Sequence, residues 1–357
     1  MKIHNFSAGP CILPQEVFTK TAEAILNFNN SGLSILEISH RSKDFVAVME
    51  EARALSLELL GLTGKGYQAL FLQGGASMEF LRIPYNFLKQ GGKAAYLDTG
   101  TWANNAAKEA KAFGETVIVG SSKAEGYNHI PKNLSIPADV DYFHCTSNNT
   151  IYGTEIKNFE PCAVPLICDM SSDIFSRTLD FSKFDVIYAG AQKNMGPAGT
   201  TLVIVKEQLL GKTSRNIPNI LNYAVHIAKE SMYNTPAVSA VYTSLLTLQW
   251  LKKLGGIEAI EVKNQAKADL LYNEIDRNPL FVGTALKEDR SNMNATFLLN
   301  NEEAHKDLFN TMWKEAGVSG LNGHRSVGGY RASMYNALPI ESVQVLVDVM
   351  KELERKA

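Results

Sequence analysis

The chain has 357 residues, 45% hydrophobic and 20% charged, the mix of a folded protein large enough to build its core without disulfide or metal staples. A formal net charge of −2 excludes a global basic field that would recruit nucleic acid or an anionic membrane, yet leaves room for local cationic clusters that hold small anions. The four cysteines, Cys11, Cys145, Cys162 and Cys168, form neither a CxxC pair nor a zinc spacing, so no metal site is expected.

The opening MKIHNFSAGP carries no apolar signal region, and no run approaches about eighteen uninterrupted apolar residues, so a reducing cytoplasm is the expected home. Residues 69–72 read as a strand that leads into Gly74-Gly75 and a helix near Met78. Residues 93–97 lead to Asp98 and the helix-like WANNAAKEAKAF. Residues 116–119, 142–145, 165–168, 186–189 and 201–205 repeat the short apolar form. Runs of this length with polar or glycine-rich exits predict strands buried on both faces. Cys145 and Cys168 fall inside two of them, where a free thiol behaves as a small hydrophobe. Alternation with helical patterns predicts an α/β domain around a mostly parallel sheet.

The pattern changes after Pro236. A long apolar helix is predicted over 237–254, stopped by Gly255-Gly256, then a helix with Ala259, Val262, Ala266 and Leu270 on one stripe. A strand at 295–299, a helix near 303–316 and a last helix follow, the last with Ile340, Val343, Val347, Met350 and Leu353 on one face. We therefore expect a large α/β domain over 16–255 and a smaller α+β domain over 256–357, joined by the N-terminal segment 1–15.

In open parallel sheets, ligands sit at the carboxyl ends of strands. That rim would carry Gly74-Gly75, Asp98, Thr146, Asp169 and the loop GAQKNMGPAG at 190–199. Taken alone, Lys193 in that loop reads as a surface lysine on a turn. Asp169 changes this, because it ends the apolar run PLIC, and a carboxylate there must be paired or must act. A lysine that forms a Schiff base and an acid that holds a pyridinium nitrogen are the two protein groups that pyridoxal phosphate needs. Gly74-Gly75 before a helix is either a tight turn or an anion cradle at the positive end of the helix dipole. Trp102, after Asp98-Thr99-Gly100, is either a half-buried core residue or a ring stacked on a cofactor. Neither GxGxxG nor GxxxxGK[ST] is present, which disfavours a nicotinamide-dependent dehydrogenase and a P-loop.

Five stretches in order resemble the phosphoserine aminotransferases, fold-type I, class V enzymes that use pyridoxal phosphate. They are NFSAGP (5–10), EISHRS (37–42), YAGAQKNMGPAG (188–199), YNTP (233–236) and GHRSVGGYRASMYNALP (323–339), and the likeness covers nearly the whole chain. The resemblance implies a mixed, mostly parallel seven-stranded sheet flanked by helices. It implies that Lys193 is the Schiff-base lysine, that Asp169 partners the ring nitrogen, that Trp102 stacks on the ring and that Thr150 bonds the phenolic oxygen. It places Ala76, Ser77 and Gln192 at the cofactor phosphate, with Asn234 and Thr235 reaching it from the neighbouring subunit. Arg331 would hold the substrate's α-carboxylate, and Ser7 joins the substrate-binding set. At the position of Ser77 some members carry an arginine, so one phosphate-facing cation is absent here.

Two His-Arg pairs, His40-Arg41 and His324-Arg325, each fall inside one of these stretches. Arginine grips a phosphate dianion with two parallel hydrogen bonds, and histidine adds a donor. The implied substrates are glutamate, 2-oxoglutarate, phosphoserine and 3-phosphohydroxypyruvate, handled in a ping-pong exchange by a homodimer with shared active sites. A second role of the family, on 4-phosphohydroxy-threonine in pyridoxal phosphate biosynthesis, is left open by these residues. Among other class V enzymes, a desulfurase needs a nucleophilic cysteine on a loop of the C-terminal half, but the last cysteine is Cys168. A small-substrate transaminase, such as alanine–glyoxylate or serine–pyruvate transaminase, needs no second anion clamp. A non-catalytic ligand-binding protein is the alternative of a different class.

Overall fold

The computed structural model describes residues 2–357. Seven strands form the central sheet: β1 (Tyr67–Leu72), β2 (Lys93–Asp98), β3 (Glu115–Ser121), β4 (Phe143–Thr146), β5 (Leu166–Asp169), β6 (Val186–Gly190) and β7 (Thr201–Lys206). Their order is β1-β7-β6-β5-β4-β2-β3. Neighbours from β6 to β3 are parallel. Strand β7 alone runs against both of its neighbours. The reason is the connection: residues 191–200 are all that separates β6 from β7, and Thr201 pairs directly with Gly190. A parallel return would need a crossover of about a dozen residues or more. The loop that carries Lys193 is thus a tight reversal between two central strands.

Strands β5 and β6 are buried throughout, as strands covered on both faces must be. The expectation of burial on both faces fails for β3, where Ile118 is 44% exposed. Strand β3 is the edge of the sheet, and among the described residues nothing pairs beyond it. Helices Lys43–Leu59 and Val238–Lys253 cover one face, packing Phe45, Met49, Val241 and Leu245 onto Phe71, Ala189 and Leu202. Helices Gly75–Phe87 and Thr101–Ala110 cover the other, with Phe80, Ile83 and Ala106 against Tyr96, Tyr188 and Val203.

A second sheet holds β8 (Phe281–Gly283), β9 (Asn294–Leu299) and β10 (Tyr330–Ser333), antiparallel in that order. Its core gathers Phe297, Phe309, Trp313, Leu346 and Met350, and Phe6 from the N-terminal segment joins it. His4–Asn5 pairs in parallel with Val318–Ser319, which builds the chain start into this unit.

Two predicted helix faces are corrected. Helix Gly256–Arg277 buries Ile257, Ile260, Asn264, Lys267, Ala268 and Leu271, while Val262 is 70% exposed. The buried stripe contains polar side chains that find partners. Asn264 Nδ2 donates to Ser176 O at 3.0 Å and to Asn336 Oδ1 at 2.8 Å. Lys267 Nζ donates to the carbonyls of Met334 at 2.9 Å and Tyr335 at 2.7 Å. A satisfied polar group can be buried, and here it hides the true face from an apolar count. In the last helix, Ile340–Lys356, Val343, Val347, Met350 and Leu353 are buried as expected, but Ile340, in the first turn, stays exposed.

Candidate active site

The carboxyl rim of the sheet collects the predicted groups. Strand β5 ends in Asp169, opposite Thr146 of β4 and Tyr188 of β6. Asp169 is buried, and its Oδ1 accepts the Ser171 amide at 2.9 Å. Its other oxygen receives no hydrogen bond among the described residues. One strand along, β6 runs into the short helix Ala191–Asn194, which carries Lys193. Lys193 Nζ donates to Thr150 Oγ1 at 2.8 Å and lies 5.7 Å from the centre of the Trp102 ring. Trp102 stands in the first turn of helix Thr101–Ala110, after the exit of β2. Burial holds the Lys193 ammonium below its ordinary range; the negative charge of Asp169 opposes this and the positive charge of Arg331 adds to it. Burial pushes the Asp169 carboxyl up, against the pull of Lys193 and the Ser171 hydrogen bonds.

Arg331, on β10, reaches across from the second sheet. Its Nη1 donates to the Thr150 carbonyl at 3.4 Å, and its Nε is buried without a partner. Arg331, Thr150 and Lys193 therefore form a continuous set: a cation, a hydroxyl residue and an amine. An incoming carboxylate would satisfy the guanidinium beside an amine able to accept a proton.

The anion cradle lies at the start of helix Gly75–Phe87. Gly74 has φ +113°, and a Cβ there would meet Met78 Cβ at 2.4 Å, so only glycine fits. No side chain caps this helix, which leaves the first-turn amides of Gly75, Ala76 and Ser77 facing outward at the positive end of the dipole. Asn234 Nδ2 donates to Gln73 Oε1 at 2.7 Å, and Gln73 Nε2 donates to the Thr235 carbonyl at 2.6 Å. Asn234 and Thr235 are thus tied to the residue just before the cradle of their own chain.

The other predicted groups are not brought to this cluster by any side-chain hydrogen bond among the described residues. His40 and Arg41 precede helix Lys43–Leu59, whose first turn is capped by Ser42, and Arg41 is exposed. His324 and Arg325 sit in a tight turn in which the amides of Val327 and Gly328 both donate to the His324 carbonyl at 2.9 Å. Partial burial, then the charges of Arg331 and Arg325, hold the His324 imidazole below its ordinary range. The Ser7 amide donates to Asn5 Oδ1 at 3.0 Å. Gln192 directly precedes Lys193, and its carbonyl accepts the Cys11 amide at 3.1 Å.

Sequence reading missed Ser171. Its amide holds Asp169, and its Oγ accepts the Gly190 amide at 3.1 Å, joining the exits of β5 and β6. The signal was present, since Asp-x-Ser after a strand is the spacing of an Asx turn. Sequence reading assigns Cys11 no role beyond its place among four cysteines without a CxxC or zinc spacing.

Three open features test whether the site fits pyridoxal phosphate. The unpartnered Asp169 oxygen suits a protonated ring nitrogen, the uncapped amides suit a phosphate, and the buried orphan Thr146 Oγ1 beside Asp169 marks a wall that lacks its polar partner. The residues fit. A seven-stranded, mostly parallel sheet with this rim is the architecture of the fold-type I transferases that depend on pyridoxal phosphate. The chain belongs to the class-V aminotransferases: the family described as Aminotransferase class-V matches residues 3–346. It is 76% identical to the phosphoserine aminotransferase of Flavobacterium psychrophilum over 100% of both chains. The phosphoserine aminotransferase structure from Bacillus circulans subsp. alkalophilus superposes with a TM-score of 0.96 at 44% identity, covering 99% of each chain. The pyridoxal-phosphate-bound phosphoserine aminotransferase from Trichomonas vaginalis superposes at 0.91 with 35% identity, covering 98% of this chain and 100% of that one. Among the described residues, no helix is long and apolar enough to cross a membrane.

Proposed function

We propose that this aminotransferase exchanges an amino group between glutamate and 3-phosphohydroxypyruvate, giving 2-oxoglutarate and phosphoserine by a ping-pong route in serine biosynthesis. The observation that carries the reading is the Arg331–Thr150–Lys193 set, which puts a carboxylate anchor next to a lysine whose pKa burial lowers. The phosphorylated substrate is supported by the full-length identity to relatives of that name and by the two His-Arg pairs.

Pyridoxal phosphate, when bound, supplies an aldehyde for amine exchange and a ring that absorbs carbanion charge. Asp169 would keep the ring nitrogen protonated, Trp102 would cover the ring, and Thr150 would hold its phenolic oxygen. Ala76 and Ser77 would bind the phosphate, with Gln192 beside them and Asn234 and Thr235 reaching it from a second copy of the chain. Arg331, assisted by Ser7, would fix the substrate's α-carboxylate. Lys193, whose amine stands beside Thr150 and Arg331, would act as the base that takes the proton from the substrate's Cα. Its depressed proton affinity raises the neutral fraction near pH 7.

His40, Arg41, His324 and Arg325 would bind the distal anion, in a pocket completed by a second copy of the chain. Support comes from large apolar side chains left exposed in the segment preceding Arg41, where Leu26 is 82% and Leu36 64% exposed. Exposed apolar side chains of this size suit a covered dimer face. We also take residues 16–255 as the cofactor domain and 256–357 with 1–15 as the smaller one. The cytoplasmic location rests on four unpaired cysteines.

The test is steady-state turnover of glutamate with 3-phosphohydroxypyruvate, set against alanine with glyoxylate. We expect a preference of roughly 10⁴-fold for the phosphorylated pair, because a substrate without a distal anion leaves the clamp unpaired. A preference for alanine and glyoxylate would overturn the assignment.

A further inference from the structure

The helix that carries Lys193 ends almost as soon as it begins. Its last carbonyls have no partner further along the helix, as at every helix terminus. Two consecutive ones are satisfied by a single residue far away in sequence. The Cys11 amide donates to Gln192 O at 3.1 Å, and the Cys11 thiol donates to Lys193 O, with Ile12 O at 3.2 Å as a second acceptor.

The segment around Cys11 is a strap. Gly9, at φ +148°, lies so close that a Cβ there would stand 3.3 Å from Lys193 Cγ. The strap is held from behind by Tyr335, whose hydroxyl donates to the Ala8 carbonyl at 2.7 Å. The next residue of the Lys193 helix is tied as well: Asn194 Nδ2 donates to Ile174 O at 2.5 Å, and its Oδ1 accepts the Asn336 amide at 3.0 Å. The helix is therefore held by both the strap and the Asn336 segment.

We propose that Cys11 is a positioning residue for Lys193: its thiol and amide fix the end of the short helix, and so set where the lysine's amine stands, without touching substrate. The inference rests on the reading of Lys193 as the cofactor-bound lysine. A thiol can do this only while protonated, and burial pushes the Cys11 thiol up to about 12, so it remains a donor throughout the working range. A carbonyl left bare in this packed corner would let the helix end turn toward another donor, and the amine would move with it.

The test compares Cys11→Ala and Cys11→Val, which remove the donor, with Cys11→Ser, which keeps one. The first readout needs no cofactor: hydrogen exchange at the amides of residues 191–196 should quicken about threefold or more in the Ala and Val variants, as expected for one lost hydrogen bond. The second is the pH titration of the absorption band of holoenzyme, whose midpoint should shift in the Ala and Val variants and return toward wild type in Cys11→Ser. The third is kinetic: kcat should fall about three- to tenfold with KM for glutamate changed less than twofold. Val, which keeps the volume of the site, decides the matter if Ala is poorly folded. Unchanged exchange and an unchanged titration in both donor-free variants overturn the inference, as does a Ser variant that behaves like Ala. A band that survives Lys193→Ala instead sinks the assignment of Lys193, and this inference with it.

Discussion

Replacing Arg331 probes the step that separates an α-amino acid transaminase from a mere aldehyde-binding fold. Among the described residues the guanidinium is tied only by the 3.4 Å contact to Thr150 O, and its Nε is buried without a partner. An arriving α-carboxylate can therefore accept two hydrogen bonds from a fork already in place. Each charge-assisted bond contributes roughly 1.5–3 kcal/mol. Arg331→Ala removes both, about 3–6 kcal/mol, so kcat/KM should fall by roughly 10²–10⁴ at about 1.4 kcal/mol per tenfold. Arg331→Lys keeps the charge but loses the fork, and about half of that energy, so its loss should be roughly 10- to 150-fold. The assay is steady-state kinetics with glutamate and, in the reverse direction, with phosphoserine. Both must fall by similar factors, because they share the α-carboxylate. Stability of the cofactor-free protein should change little, since the unpaired Nε is already a cost. An Arg331→Ala enzyme within threefold of wild type on glutamate would refute the reasoning, and so would a loss confined to phosphoserine.

Other outcomes follow from the same geometry. Lys193→Ala should abolish turnover while leaving the thermal transition in place, and full activity in that variant would remove the lysine from the mechanism. Asp169→Asn should retain cofactor but lose most catalysis, because an amide cannot hold the pyridinium proton; a loss of only two- or threefold would mean that another group partners the nitrogen. Arg41→Ala should weaken phosphoserine and glutamate together, whereas an effect on one alone would contradict a shared distal-anion pocket. Lys267 offers a pH test. Burial foremost lowers its pKa from 10.5 to about 7 in the fold, so between those values the unfolded chain binds the extra proton and stability rises with pH. The unfolding free energy of wild type minus that of Lys267→Met should therefore grow by up to about 1.4 kcal/mol per pH unit across that window, and a difference that stays flat from pH 7 to 10 would show that Lys267 is buried charged.

What could be read from the sequence is where one physical signal dominates. The buried strands announced themselves because a strand covered on both faces has to be continuously apolar, as 186–189 and 201–205 are. Their exits then located Asp169 and Lys193, since a charge at the end of such a run demands a purpose. The edge strand β3 was misjudged because a four-residue apolar run does not say what lies on either side of it. The helix Gly256–Arg277 was misread because Asn264 and Lys267 look like surface residues until their acceptors, Asn336 Oδ1 and the carbonyls of Met334 and Tyr335, come into view. The contacts of Cys11 with the Lys193 helix and of Gln73 with Asn234 were illegible for the same reason. They are made by residues 161–182 positions apart, and no local pattern encodes such a meeting.

The central claim, that Lys193 is the group that holds the cofactor, can be tested directly by reducing the holoenzyme with borohydride and mapping the modified peptide by mass spectrometry. Among the other lysines, Lys267 is the control: it is only 1% exposed, and burial lowers its pKa to about 7, so it too could offer a neutral amine to an aldehyde. The geometry predicts the pyridoxyl adduct on Lys193 alone, and none in Lys193→Ala. An adduct on Lys267, or an unmodified Lys193 in fully reduced protein, would contradict the account.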